Sequence, residues 1–335
     1  MTETPNPAPI FEALNAHHKT AALRGAIELE LFSHISSGKQ TADELAAACD
    51  ADARAMRILC DYLVVQEFLI KQGDQYCLTA SSGTFLVKGS PAYMGGMVPF
   101  INSPDLMRAF DDVAAVVRHG GTLLGDKGTV SDNYAGWVEF ARGMAAMMMP
   151  AAQFISRLAK ELKDGPIRVL DVAAGHGIFG IMIAKENPQA NVGALDWEPV
   201  LAVASENAKA HGVDDRHELM PGDALQIDYG EGFDIVLLTN FLHHFDLPTC
   251  QLIAEKTHAC LSDDGIVVTL EFIPNEDRVS PANAATFALT MLTTTPTGDA
   301  YTFAEYEKMF REAGFTHSEL IDIPDSPQRI VVSRK

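Results

Sequence analysis

Apolar residues recur at near-helical spacing over residues 8–34, where Ile10, Phe11, Leu14, Ala21, Ile27 and Leu31 predict one helix. Thr41-Ala42-Asp43-Glu44 reads as a capping box, with Thr41 as N-cap and Glu44 three places on, opening a short helix over 42–49. Asp52 caps a second helix, 53–66, which carries Ile58, Leu59, Leu63 and Val64. Two short strands then flank Gly73-Asp74 between Leu69 and Leu78, a hairpin signal. Helix, helix, hairpin is the order of a winged helix. Residues 81–105, rich in Gly, Ser and Pro, read as a long connection, and three helices follow near 105–118, 132–147 and 150–163.

After Gly165-Pro166 the pattern changes. Short apolar runs at Ile167–Val172, Asn191–Leu195, Asp234–Thr239 and Gly265–Phe272 alternate with helical stretches near 178–186, 199–211 and 248–261. Such alternation predicts an α/β fold, a mostly parallel sheet with helices on both faces. Two last strands, Ser318–Ile323 and Gln328–Ser333, are joined by the short Pro324-Asp325-Ser326-Pro327, which favours antiparallel pairing. The expected division is a helical, winged-helix-like domain over 1–163 and an α/β domain over 164–335.

Composition narrows the function classes. The 335 residues carry a net charge of -20, which repels phosphate backbones and anionic lipid surfaces. The presumed recognition helix holds Arg54 and Arg57 but also Asp61, amid Asp43, Glu44, Asp50 and Asp52, so no nucleic-acid footprint is expected. No apolar run is long enough to cross a bilayer, and Met1-Thr2-Glu3-Thr4-Pro5 is no secretory signal, so a cytoplasmic protein without a membrane partner is expected. Cys49, Cys60, Cys77, Cys250 and Cys260 are odd in number and lack CxxC spacing. Neither a disulfide framework nor a metal site is expected.

Candidate chemistry begins at Asp171-Val172-Ala173-Ala174-Gly175-His176-Gly177, between a strand and the helix from Ile178. A helix N-terminus directs free N–H groups outward, and glycines let the backbone approach a ligand closely. Gly175-His176-Gly177-Ile178-Phe179-Gly180 is also GxGxxG, which is weak evidence alone for a dinucleotide. Asp196, about 20 residues on, suits a ribose under either reading. Three features favour S-adenosylmethionine. Asp171 lies inside the strand, where it would repel a pyrophosphate, and where methyltransferases carry an acidic residue that helps hold the methionine end of that cofactor. Gly222-Asp223-Ala224-Leu225 follows the third expected strand, where methyltransferases place an acid against the adenine amino group. The unit also starts in mid-chain and ends in an antiparallel pair.

With these motifs, residues 134–335 resemble the small-molecule O-methyltransferases of the caffeate, acetylserotonin and polyketide type, which have a Rossmann-like class I methyltransferase fold. The N-terminal segment resembles that family's dimerisation domain, and implies a homodimer. The resemblance implies a cofactor site of Asp171, Gly175, Gly177, Asp196, Trp197, Asp223, Ala224 and Asn240.

The fourth strand ends in Thr239-Asn240-Phe241-Leu242-His243-His244-Phe245-Asp246. Chemistry in open α/β sheets sits at the carboxyl ends of strands. A phenol, with pKa near ~10, is a poor nucleophile at neutral pH and gains from a base such as histidine. The resemblance places that base seven positions before Cys250, at His243, with His244 in support; two histidines without chemistry are the plain alternative. It also implies two glutamates beside the base. Glu271 matches the first at the family's spacing. Alanine, Ala300, stands at the second, with Asp299 one place away as a shorter substitute. That departure leaves open a carbon or sulfur acceptor. Phe140 and Met144 match the family helix that brackets an aromatic acceptor, Met148 extends it, and Phe287 and Met291 suit the opposite wall. The expectation is an S-adenosylmethionine-dependent enzyme acting on a small hydroxylated aromatic. The alternatives are a related enzyme without methyl transfer, of decarboxylase or hydroxylase type, and a non-catalytic winged-helix interaction protein.

Overall fold

The computed structural model describes residues 5–125, 127–131 and 134–335, so the Met1–Thr4 start and positions 132 and 133 of an expected helix lie outside the described residues. The chain forms two compact units, Met1–Val98 and Pro99–Lys335.

The first unit contains α1 (Ala8–Glu28), α2 (Leu31–Ser36), α3 (Ala42–Ala48), α4 (Ala53–Val65), β1 (Leu69–Gln72), β2 (Gln75–Leu78) and α5 (Ala80–Phe85). The Thr41–Glu44 capping box and the Asp52 cap are both present, and β1 pairs antiparallel with β2. The single helix expected over 8–34 is instead broken at Glu30, which takes a left-handed conformation with φ 50°. The break has a packing reason. It turns Leu31, Phe32 and Ile35 into a core with Leu45, Met56, Leu63 and Tyr76. Ile10, Phe11 and Leu14 of α1 stay 64%, 62% and 68% exposed. Arg57 on α4 is ion-paired with Asp61 on its own helix.

The second unit opens with α6 (Val98–Ile101), α7 (Pro104–Arg108), α8 (Val113–His119) and the long α9 (Gly136–Leu162). α6 starts one residue before the boundary, inside the stretch 81–105 expected as a plain connection. α9 replaces two expected helices and runs through Pro150. An interior proline forfeits one backbone hydrogen bond and costs about 3 kcal/mol or more. A continuous buried face of Met144, Met148, Ala151, Ile155 and Ala159 offsets that cost. α9 packs on α10 (Ile178–Glu186) and α11 (Glu198–His211), so residues 99–163 group with the sheet and not with the N-terminal elements, unlike the expected division at 163/164.

The sheet has seven strands in the order β5-β4-β3-β6-β7-β9-β8. They are β3 (Ile167–Val172), β4 (Ala190–Asp196), β5 (His217–Pro221), β6 (Phe233–Thr239), β7 (Leu261–Glu271), β8 (His317–Asp322) and β9 (Arg329–Arg334). β3 to β7 run parallel, while β9 pairs antiparallel with both β7 and β8. α12 (Leu247–Cys260), α13 (Ala282–Ala285), α14 (Phe287–Thr294) and α15 (Phe303–Glu312) complete the chain. Leu170, Val172, Val236 and Leu238 share one core with Ile253 of α12 and Phe310 of α15. The order reverses at β3, whose neighbours are β4 and β6. A crevice at the carboxyl ends of β3 and β6 is the place where open α/β sheets bind ligands.

Candidate active site

At the end of β3 the chain turns sharply. Ala173 has φ 56° and Gly177 φ 72°. A Cβ on Gly177 would also lie 3.0 Å from that of Ala204 on α11, so glycine serves both the turn and the close packing. Asp171 is fully buried beneath the turn. Its Oδ2 accepts from Gly180 N at 3.0 Å, but Oδ1 has no partner. Burial pushes its carboxyl up to about 8, with Asp196 adding to the rise and the Gly180 N–H opposing it. Asp196 closes β4, its Oδ2 accepting from Gly175 N at 2.8 Å and its Oδ1 from Trp197 N at 2.7 Å. Burial raises it to about 6. Asp223 accepts from Leu225 N at 2.8 Å. His176, inside the turn, stacks on Phe140 and accepts from Ile178 N at 3.2 Å. Burial holds it down at about 4, so it is neutral at physiological pH.

The end of β6 is built differently. Asn240 bends the chain with φ 55°, and its Oδ1 accepts from the side chain of Gln328, just before β9. The bend delivers two backbone N–H groups to one acid on β7: Phe241 N and Leu242 N donate to Glu271 Oε1 at 2.9 and 2.8 Å. The other oxygen of Glu271 bonds His243 Nδ1. A carboxylate only accepts, so Nδ1 carries the proton and Nε2 keeps its lone pair. Gly298 fits against this loop because it has no side chain: a Cβ there would lie 2.3 Å from His243 O. The ring of His243 also meets that of Phe287 in a T-shaped contact, with centroids 4.8 Å apart.

Asp299 does not supply a second acid to His243. Its backbone N–H donates to His243 O at 3.0 Å, but its carboxylate is turned to Ala300 N and to Arg278. Tight approach of Gly298 to the base loop fixes the backbone here and leaves the Asp299 side chain pointing outward. His244 is buried, with Nδ1 unpartnered and its ring against Trp137. Burial, and then the neighbouring His243, hold it well below the ordinary histidine range.

Both strand ends open on one cavity of about 820 Å³. Gly175, Asp196, Trp197, Asp223, Ala224 and Asn240 line it, together with Phe140, Met144, Met148, His243, His244, Phe287 and Met291. Asp171, Gly177 and Glu271 are not at its surface and support the residues that are. Four wall residues of α9, Trp137, Phe140, Met144 and Met148, follow one helical stripe. Trp137 and His176 escaped the sequence reading, although that stripe and the glycine turn already contained them. Gln328 carried no signal, since its partner Asn240 is distant in the chain. Among the described residues no group of three or more His, Cys, Asp or Glu is arranged to hold a metal ion.

The polar half fits a cationic cofactor with a ribose better than a pyrophosphate. The charged residues of the lining are Asp196, Asp223 and Lys127, and one orphaned carboxyl oxygen, on Asp171, lies under the turn. A model of the O-methyltransferase domain matches residues 137–316, and one of the O-methyltransferase dimerisation domain matches 11–88. The chain belongs to the O-methyltransferase family. It is an S-adenosylmethionine-dependent O-methyltransferase, with the class I methyltransferase sheet expected from its sequence. A candidate O-methyltransferase from Nostoc punctiforme PCC 73102 is 45% identical, with a TM-score of 0.96, over 99% of this chain and all of that one. The 3-hydroxy-5-methyl-1-naphthoate 3-O-methyltransferase of Streptomyces sahachiroi is 27% identical over 88% of this chain and 86% of its own. Human N-acetylserotonin methyltransferase, solved in complex with S-adenosylmethionine, shares the fold with a TM-score of 0.85 at 19% identity, covering 100% of this chain and 99% of that one. The enzyme's winged-helix-like segment thus falls within a dimerisation domain. None of its described helices is long and apolar enough to cross a membrane.

Proposed function

We propose that the enzyme methylates a hydroxyl group on a small aromatic secondary metabolite, with His243 as general base. One observation carries the reading: Glu271 uses one oxygen on two backbone N–H groups and the other on His243 Nδ1, which leaves Nε2 as the basic nitrogen of a ring at the cavity wall. Bound S-adenosylmethionine supplies an electrophilic methyl group on a sulfonium. The chain's own residues do the rest. Each oxygen of Asp196 retains a lone pair beside its backbone bond, suited to a ribose hydroxyl. Asp223 and Ala224 suit the adenine, and Asp171 with the Gly175–Gly177 turn suits the methionine end, beside Trp197 and Asn240. Phe140, Met144, Met148, His244, Phe287 and Met291 hold a planar ring in a dry site. His243 Nε2 takes the hydroxyl proton, so that the oxygen attacks as a phenolate. The naphthoate acceptor in the name of the Streptomyces relative supports an aromatic hydroxyl.

The enzyme is further proposed to act in the cytoplasm as a homodimer through its N-terminal unit, which would cover Ile10, Phe11 and Leu14. Light scattering at micromolar concentration should show a dimer, and a monomer would contradict this. A second reading, a thiol or activated-carbon acceptor, rests on the outward turn of Asp299, which leaves His243 with one acid instead of two. Labelled-methyl transfer to phenols, thiols and activated carbons separates the two: label on a phenolic oxygen is expected, and label only on sulfur or carbon would overturn the hydroxyl reading.

A further inference from the structure

Lys256, on α12, is not at the cavity surface, yet it reaches a turn that is. Its Nζ donates to Ala224 O and to Ile227 O, both at 2.8 Å, and lies 4.5 Å from the ring centre of Tyr229. The turn follows β5 and lines the cavity with Gly222, Asp223, Ala224, Leu225 and Gln226. Asp223 O accepts from Gln226 N at 2.9 Å and from Ile227 N at 2.8 Å, which closes a single turn. A turn this short leaves its later carbonyls without donors of its own. Ala224 is buried, so its carbonyl needs a donor from elsewhere in the chain. Lys256 supplies it.

The bond to Ala224 O bears on Asp223 through one peptide group. The carbonyl of Ala224 and the N–H of Leu225 belong to the same planar unit. Lys256 holds that unit at its oxygen, while its N–H donates to Asp223 Oδ1 at 2.8 Å. Rotation of the plane would carry the N–H away from the carboxylate. Gln226 Nε2 holds the other oxygen, Asp223 Oδ2, at 2.8 Å. The direction of the Asp223 carboxylate is therefore set by the turn, and the turn is gripped from behind by Lys256.

We propose that Lys256 is a positioning residue for the adenine end of the cofactor: by holding the Ala224–Leu225 peptide it aims the Asp223 carboxylate at the exocyclic amino group. The inference rests on the reading of Asp223 and Ala224 as the adenine contact. An amino group donates to a carboxylate, whereas a carbonyl in its place would meet it as a second acceptor. How strongly the enzyme tells the two apart reports how well the carboxylate is aimed. Lys256 itself touches neither cofactor nor acceptor.

The test compares, by calorimetry on the full-length enzyme, the affinities of S-adenosylhomocysteine and of S-inosylhomocysteine, in which a carbonyl replaces the amino group. The wild type should favour the adenosyl compound by about tenfold or more. Lys256→Met keeps an apolar stem over Tyr229 and removes the donors. It should bring the preference down to about threefold or less and raise KM for S-adenosylmethionine by about tenfold, with kcat at saturating cofactor within about twofold of wild type. Lys256→Arg, which keeps donors for both carbonyls, should restore the preference. Because the readout is a ratio of affinities, a loss of fold stability alone does not imitate it. An unchanged ratio in Lys256→Met overturns the inference and leaves the adenine reading of Asp223 intact. Should that variant fail to fold, Lys256→Gln, with a shorter stem and no charge, takes its place, and an unchanged ratio there overturns the inference equally. Equal affinity of the wild type for the two compounds overturns the adenine reading and the inference with it.

Discussion

Two acids lie fully buried in the same sheet, on β3 and β7 with β6 between them, and they are treated in opposite ways. Asp171, in β3, accepts one backbone N–H and leaves an oxygen unpaired, and burial pushes its carboxyl up to about 8. Glu271, at the end of β7, accepts two backbone N–H groups and the ring of His243. Burial with a single donor disfavours the ionised form of Asp171, whereas Glu271 has both oxygens engaged. The difference assigns them different tasks. We propose that Asp171 supports the glycine turn from beneath, whereas Glu271 orients the ring of His243.

That contrast can be broken at its strongest point first. His243→Gln should lower turnover by about 10²–10⁴-fold with cofactor affinity retained, which parallel kinetics and calorimetry will show. Glu271→Gln should cost about as much. The two backbone N–H groups hold the amide oxygen, so its NH₂ faces Nδ1 and forces the proton onto Nε2, removing the base, as in the corresponding exchange in serine protease triads. Near-normal turnover in Glu271→Gln would mean that the acid does not set the tautomer. On the other side, Asp196→Ala should weaken S-adenosylmethionine binding by about one to two decades, and calorimetry showing no change would remove Asp196 from the cofactor site.

The smallest effect is a pH slope. In the folded, ligand-free chain Asp171 stays protonated up to about pH 8, whereas in the unfolded chain it ionises near its ordinary value of 3.8. Its contribution to stability is therefore full below the ordinary value and is lost as pH rises through about 8. Asp171→Asn should flatten this part of the Tm profile between pH 4 and pH 8. An identical slope in wild type and variant would show that Asp171 is not neutral in the fold.

Most of the sheet was legible because each strand is a short apolar run bounded by turn residues, and the tight turn after β3 because its glycines stand directly between a strand and a helix. Helix boundaries were less so. Pro150 and Glu30 both override local preference for the sake of burial, the first continuing a helix and the second breaking one. The division between the units moved for the same reason, since α9 commits residues 136–162 to the sheet through packing that no local pattern displays. At the site, His243 and Glu271 were paired by the family resemblance and its spacing, and they meet in the fold because β6 and β7 are neighbours in the parallel sheet. Asp299 was misplaced because a single backbone contact, Gly298 against His243 O, decides where its side chain points. The orphaned nitrogen of His244 and the Gln328–Asn240 bond exist only once distant segments meet.

The central claim is that His243 removes the acceptor proton, and the dependence of methyl transfer on acceptor acidity tests it most directly. Single-turnover transfer from labelled S-adenosylmethionine would be measured for a series of naphthols and nitronaphthols with wild type and His243→Gln at neutral pH. The account expects the variant to lose most on the least acidic acceptors and to approach the wild-type rate on a nitronaphthol that is already ionised, because no proton then needs to be taken. Equal losses across the series would contradict a base at His243 and leave it with a positioning role alone.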